Sequence, residues 1–341
     1  MAKSKLYLTL INEAINKNNL DTIYGKSILI TGGTGLIGAT IVDILIYINE
    51  KLKKKIDIYV AGRNYERVRN IFTNYVEKDY FHYLKYDATK SIDFDVRFDY
   101  IIQGASNANP KLYTECPVET LIGNVIGVNN ILEYSLNHGI KKLLYISSSE
   151  VYGNKTRNGL IVEDDYGTTD ILDVRASYMS GKRSAENLCI GYLNEHKVPV
   201  VIARPGHIYG PHASKRDTRA ASDFLFKASK GQAVKMLSAG NQLRSYCHAI
   251  DCASALLFLL MHGNDGQAYN ISNKDSIVTI REFAECVSQI GNVDLEYGIG
   301  DSAAISYSAL NSEKLENLGW NAVVSLDQGI YESIIDIRDK G

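Results

Sequence analysis

Apolar residues fall in short unbroken runs along this chain, and each run ends in glycine or polar residues before a longer stretch of helical periodicity begins. Residues 27–30 (SILI) read as a buried parallel strand, residues 31–38 (TGGTGLIG) as the turn after it, and residues 39–46 as the start of a helix. The alternation then repeats. Strands are predicted at 56–61, 81–86, 100–103, 143–146 and 200–203. Helices are predicted at 120–138, from Arg175 through RASYMSGKRSAENLCIGYL, at 222–230 and at 251–261. Residues 269–319 read as short strands with two short helices. At the N-terminus, Leu6, Leu8, Leu10, Ile11 and Ile15 make an amphipathic leader helix, packed on the domain or on a partner subunit.

Apolar strands alternating with helices mean an α/β protein, a Rossmann-like doubly wound parallel sheet whose ligands lie at the carboxyl ends of the strands. A smaller α/β substrate-binding lobe is expected on the C-terminal side. The expected organisation is a leader over 1–25, a dinucleotide-binding domain with the catalytic residues over 26–204, and a lobe over 205–341 interleaved with the last sheet strands.

Composition narrows the partners. With 37 basic against 39 acidic residues the chain lacks the charge bias of a nucleic-acid or anionic-membrane binder. The leader is too short and too polar for a signal peptide or a spanning helix, so a cytoplasmic location is expected. Five scattered cysteines without a Cys-x-x-Cys pair give neither a disulfide framework nor a zinc site. His212, His248 and Asp251 have no metal-ligand spacing, and Glu163-Asp164-Asp165 reads as a solvated loop, so no metal is expected.

The chemistry begins at the glycines. Gly32, Gly35 and Gly38 are spaced for a tight turn, for close approach of backbone amides to a pyrophosphate, and for close packing of helix on strand. Leu36 and Ile37 belong to the same cofactor-binding stretch. The strand at 56–61 ends in Gly62-Arg63-Asn64 without the acidic side chain that holds ribose hydroxyls. Arg63 beside that place suits a 2′-phosphate, so NADP is favoured over NAD. Asp87 stands at a strand exit where an adenine amino group could be met, and Ala105 and Ser106 let the chain run close to a cofactor. Further on, Tyr178 and Lys182 lie one helical turn apart, and Ser148 ends the preceding strand. The Lys182 ammonium is expected to lower the Tyr178 pKa towards working pH and to hold the nicotinamide ribose, while Ser148 bonds the same substrate oxygen as Tyr178.

TGGTGLIG, SSSEVYG, YMSGK and RPGHIYGP, in this order, resemble the extended short-chain dehydrogenase/reductases of the nucleotide-sugar epimerase/dehydratase group. The resemblance implies Ser148, Tyr178 and Lys182 as catalytic triad, Gly32, Gly35 and Gly38 as cofactor glycines, and a tightly bound NAD or NADP bordered by Pro205. Glu150, the segment ASNANPKLYTECP and RASYMSGKRSAE are similar to the UDP-glucuronate decarboxylases within the group. Decarboxylation through a transient 4-keto sugar is therefore implied, with Glu150 acting near C5. A 4,6-dehydratase, a C4 epimerase or reductase, and a non-catalytic NADP(H)-binding sensor are the alternatives. Ser106, Ser149, Glu150, His207, Arg219 and Arg244 are implied to meet the nucleotide-diphosphate sugar, with Arg244 clamping the diphosphate and Arg219 and Arg216 weaker candidates that also read as a solvated basic loop. His207 stands where the group usually has a substrate-contacting asparagine. The resemblance also implies a homodimer through a four-helix bundle that includes the Tyr178 helix.

Overall fold

The computed structural model describes residues 3–154, 159–214, 217–298 and 309–338. Helix α1 (Lys5–Lys17) turns Tyr7, Leu10, Ile11, Ala14 and Ile15 inward. Strand β1 (Ser27–Thr31) runs into α2 (Leu36–Lys51), which begins three residues earlier than the apolar periodicity implied. Then come β2 (Asp57–Gly62), α3 (Tyr65–Ile71), β3 (Phe81–Lys85), β4 (Tyr100–Gln103), α4 (Pro110–Glu115), α5 (Pro117–His138) and β5 (Lys142–Ile146). Next are α6 (Ala176–His196), β6 (Val200–Pro205), β7 (His207–Tyr209), α7 (Ala220–Ser229), β8 (Val234–Lys235) and β9 (Leu243–His248). The chain closes with α8 (Ala249–His262), β10 (Ala268–Ile271), β11 (Ile277–Thr279), α9 (Ile280–Gly291), β12 (Leu295–Glu296), α10 (Glu313–Glu316) and α11 (Leu326–Arg338).

Seven strands form the expected parallel sheet in the order β10-β6-β5-β4-β1-β2-β3. The order reverses between β1 and β4, so a crevice opens outside their carboxyl ends, where doubly wound sheets take their ligands. Its two sides are pinned together there. The Thr31 hydroxyl donates to Gln103 Oε1 at 2.6 Å and accepts the N–H groups of Gly104 and Ala105 at 3.0 and 3.1 Å.

Helix α8 is buried on nearly every side and packs on α2 and on α1, which is why its sequence lacks a polar face. A second layer carries the three-stranded sheet β11-β9-β7 and the pair β12-β8. Two elements there depart from the sequence reading: Arg244 lies within a strand, and α9 is a 12-residue helix opened by a capping box of Thr279 and Glu282. Helix α11 is an element that periodicity did not indicate. Among the described residues no helix is long and apolar enough to cross a membrane.

Candidate active site

The glycine turn is built by exclusion. Gly32 sits at φ 71°, in the region that favours glycine, and a Cβ on it would lie 2.9 Å from the Gly104 carbonyl carbon and oxygen. A Cβ on Gly38 would stand 2.4 Å from the Gly32 oxygen and 2.8 Å from the Gly33 Cα. Gly35 caps α2, and its Cβ would meet only the Gly32 oxygen, at 3.4 Å. Two glycines thus bring turn, strand and helix into contact, and the third leaves the first turn of α2, with Leu36 and Ile37, open to an anion. This cradle fits the pyrophosphate of a dinucleotide.

Beyond the cradle, Arg63 leaves β2 exposed, 3.5 Å from Glu119, and Arg67 donates to the Thr34 carbonyl at 3.1 Å. Asp87 accepts from the N–H and hydroxyl of Thr89, and these bonds hold its carboxyl below the usual range, with Arg63 adding to the effect. Ser106 at the β4 exit donates to Asn124 Oδ1 at 3.0 Å. Pro205 ends β6 in register with Ile271.

Ser148 leaves β5 and caps the turn Ser149–Tyr152, its Oγ accepting the Glu150 N–H at 3.2 Å. The same hydroxyl favours the ionised form of the Tyr178 phenol, which also feels the Glu150 carboxylate and the Arg219 guanidinium. Ser148, which spacing paired with Tyr178, and Glu150, which the resemblance implied, thus both act on the Tyr178 phenol. Lys182 follows one turn later, its Nζ donating to the Ile146 carbonyl at 2.8 Å over the ring of Tyr145.

The expected electrostatics of this pair are inverted in the chain itself. Burial pushes the Tyr178 phenol above its ordinary range, Ser148 opposes the rise, and Glu150 and Tyr113 add to it. Lys182 does not pull it down: burial lowers its own ammonium to about 7, against the attraction of Glu186. Desolvation outweighs the lysine–tyrosine attraction, because both groups leave water while the lysine spends a donor on a carbonyl. The consequence is a lysine able to give and take a proton at neutral pH.

On the opposite wall stand the substrate candidates. His207 opens β7, and its Nδ1 is enclosed without a partner among the described residues. Burial lowers its imidazole to about 3, with Arg244 and Arg219 adding, so it is neutral at physiological pH. Arg219 is gripped by Asp217, Nε to Oδ1 at 3.0 Å and Nη2 to Oδ2 at 2.5 Å, and its charge reaches Tyr178 and Tyr113. Arg244 donates to the Leu243 carbonyl at 3.1 Å and senses Tyr246 and Glu150. Arg216 lies outside the described residues.

One scaffold escaped the motif reading. Arg204, the arginine of RPGHIYGP, is buried in a bidentate pair with Glu186 at 2.9 and 2.7 Å and donates to the Tyr152 hydroxyl at 3.0 Å and the Glu163 carbonyl at 2.9 Å. Tyr152 donates to Asn270, whose backbone N–H is taken by the Glu163 carboxylate at 2.8 Å. Glu163 is thus buried structure rather than part of a solvated loop. The network ties the Ser148 turn, α6, β6 and β10 together, which fixes the distance from Ser148 to Tyr178. Replacing Glu186 by Ala strands the arginine as a buried unpaired charge and is expected to cost about 3–5 kcal/mol in chemical denaturation. A loss under about 1 kcal/mol would mean that solvent reaches the guanidinium.

Comparison with known proteins places this geometry. The pattern of the NAD dependent epimerase/dehydratase family matches residues 28–272. UDP-glucuronic acid decarboxylase 3 of Arabidopsis thaliana is 33% identical over 306 residues, 89% of this chain and 86% of that one. UDP-glucuronic acid decarboxylase 1 of Danio rerio is 30% identical over 313 residues, 91% of this chain and 72% of that one. In fold the chain is similar to dTDP-glucose 4,6-dehydratase from Bacillus anthracis in complex with NAD, with a TM-score of 0.75 and 23% identity over 93% of this chain and 97% of that one. It is likewise similar to UDP-glucose 4-epimerase from Thermotoga maritima with UDP-glucose, with a TM-score of 0.77 and 22% identity over 92% and 99%. With the family pattern spanning residues 28–272 and relatives at least 30% identical over about nine-tenths of its length, the chain belongs to the NAD dependent epimerase/dehydratase family.

Proposed function

We propose that the protein is an NAD(P)-dependent nucleotide-sugar decarboxylase that converts UDP-glucuronate through a transient 4-keto sugar. The observation that carries this reading is the meeting of Ser148, Tyr178 and Glu150 at the carboxyl edge of the sheet, beside the glycine cradle. Tyr178, in its phenolate form, takes the proton of the sugar C4 hydroxyl, and Ser148 holds the same oxygen. The nicotinamide, when bound, accepts the C4 hydride and later returns it. The C4 ketone makes the C6 carboxylate a β-keto acid. Its C5–C6 bond breaks, CO2 leaves, and the electron pair passes into the C4 enolate. A proton delivered at C5 on the Glu150 side restores the ketone, and Tyr178 returns its proton when C4 is reduced.

His207, Arg219 and Arg244 line the wall that receives the substrate's anionic groups, with Arg244 on the diphosphate. Glu150 would serve equally as the base of a 4,6-dehydratase. Incubation with UDP-glucuronate, UDP-glucose, dTDP-glucose and GDP-mannose, read by mass, separates the chemistries. Loss of CO2 from UDP-glucuronate is expected. Loss of water from a neutral hexose, with UDP-glucuronate inert, would overturn the proposal.

NADP is the favoured cofactor in this reading. Arg63 is exposed at the β2 exit, its pairing with Glu119 is that of two solvated side chains, and Arg67 stands nearby on the glycine turn. Arg63→Asp is expected to raise the Kd for NADP relative to NAD by about tenfold or more. An unchanged ratio in a titration of both cofactors would remove Arg63 from the cofactor site.

The homodimer is supported by Val118, Leu121, Ile122 and Ile126, an exposed apolar stripe on α5 beside α6. Light scattering is expected to give the mass of two chains, and the mass of one would exclude it.

A further inference from the structure

Tyr113 plays no part in the reaction above, yet its ring stacks on the central group of that reaction. It lies on α4, in the segment that follows the β4 exit, and its ring is nearly parallel to that of Tyr178, with centroids 4.9 Å apart and planes 16° apart. The backbone on both sides is fastened. Ser177 donates to the Tyr113 carbonyl at 3.1 Å, and Thr218 donates to Asn109 at 3.1 Å from the loop before α7. Arg175, just ahead of α6, brings its positive charge to bear on the Tyr113 phenol. The two rings cover each other, leaving Tyr113 5% and Tyr178 6% exposed.

We propose that Tyr113 is a positioning residue for Tyr178: the stacked ring sets the plane of the catalytic phenol and closes one of its faces to water. The phenol oxygen is thereby turned to the side where Ser148 stands. This inference rests on Tyr178 acting as the base at C4. The groups facing Tyr178 are Ser148 and Glu150 from the turn after β5, Tyr113 from α4, Arg219 from the loop before α7, and Lys182 along α6. Ser148 and Arg219 favour the phenolate, whereas Glu150 and Tyr113 oppose it. Burial opposes it most, and the Tyr113 ring supplies part of that burial. Removing the ring therefore has two effects: the phenol loses its fixed plane, and water reaching it eases ionisation.

The test is the pH dependence of turnover by the cofactor-loaded protein, using the nucleotide sugar that the mass panel identifies. Tyr113→Leu is expected to lower kcat on the order of 10–100-fold, the scale of a small misplacement, with KM changed much less. It should also carry the acid limb of the profile to lower pH. Tyr113→Phe keeps the ring and is expected to retain kcat within about threefold, with the limb in place. If Tyr113→Leu leaves kcat and limb as they are, or if Tyr113→Phe loses as much as Tyr113→Leu, the proposal fails. Should Tyr113→Leu not fold, Tyr113→Met, which also removes the ring, takes its place under the same criteria. Tyr178→Phe keeps the two readings apart. Wild-type turnover by that variant would remove the base assignment itself, whereas an inactive Tyr178→Phe beside a normal Tyr113→Leu would remove only the role of the stack.

Discussion

Tyr178→Phe is expected to lower nucleotide-sugar turnover by about 10²–10⁴-fold, the usual worth of a placed proton-transfer group. The change deletes one oxygen and leaves the ring, so the stack on Tyr113 and the packing of α6 stay as they are. Stability and cofactor affinity are therefore expected to remain close to wild type, which separates lost chemistry from lost structure. The inversion found here sharpens the expectation. A buried phenol above its ordinary range is mostly protonated, so only its minority phenolate can act as the base that Tyr178→Phe removes. A Tyr178→Phe protein that binds cofactor and turns over at more than about a tenth of the wild-type rate would contradict the assignment.

Gly38→Ala should damage both fold and cofactor site. The added Cβ would lie 2.4 Å from the Gly32 oxygen and 2.8 Å from the Gly33 Cα, both backbone atoms that cannot rotate away. Overpacking of this kind costs about 1–3 kcal/mol, or roughly a 10–100-fold weaker Kd if the same shift deforms the amide cradle. Gly35→Ala supplies the contrast. Its Cβ would meet one atom at 3.4 Å, so the free protein should melt as wild type while the dinucleotide, crowded at the helix start, binds more weakly. Thermal melting without cofactor, followed by titration with NAD, reads both effects. Gly38→Ala with wild-type melting and wild-type affinity would show that the turn is looser than its contacts.

The contrast between these two sites shows what was legible in the sequence. A strand, a glycine turn and a helix in sequence order are local, and the contacts a Cβ would make at Gly32 and Gly38 explain why the spacing cannot vary. The Tyr178 and Lys182 pair is equally local, since one helical turn sets it. Their ionisation is not local. It depends on how much water reaches them, which is decided by Tyr113, Ser148 and the Ile146 carbonyl, from 30 to 65 positions away. The Arg204 network was hidden for the same reason. Nothing near RPGHIYGP says that the arginine faces Glu186 rather than solvent, or that Glu163 is drawn inside to take the Asn270 N–H. Strand β9 was missed because its polar residues Ser245 and His248 are buried against Leu310 and Glu332, which breaks a simple alternation.

The most direct test of the account uses UDP-glucuronate labelled with deuterium at sugar C4, incubated with the cofactor-loaded protein and read by mass spectrometry. The account predicts a product lighter by one CO2 that keeps the deuterium, because the hydrogen taken from C4 returns to C4. Unchanged UDP-glucuronate recovered from folded, cofactor-loaded protein, or a decarboxylated product without the label, would contradict it.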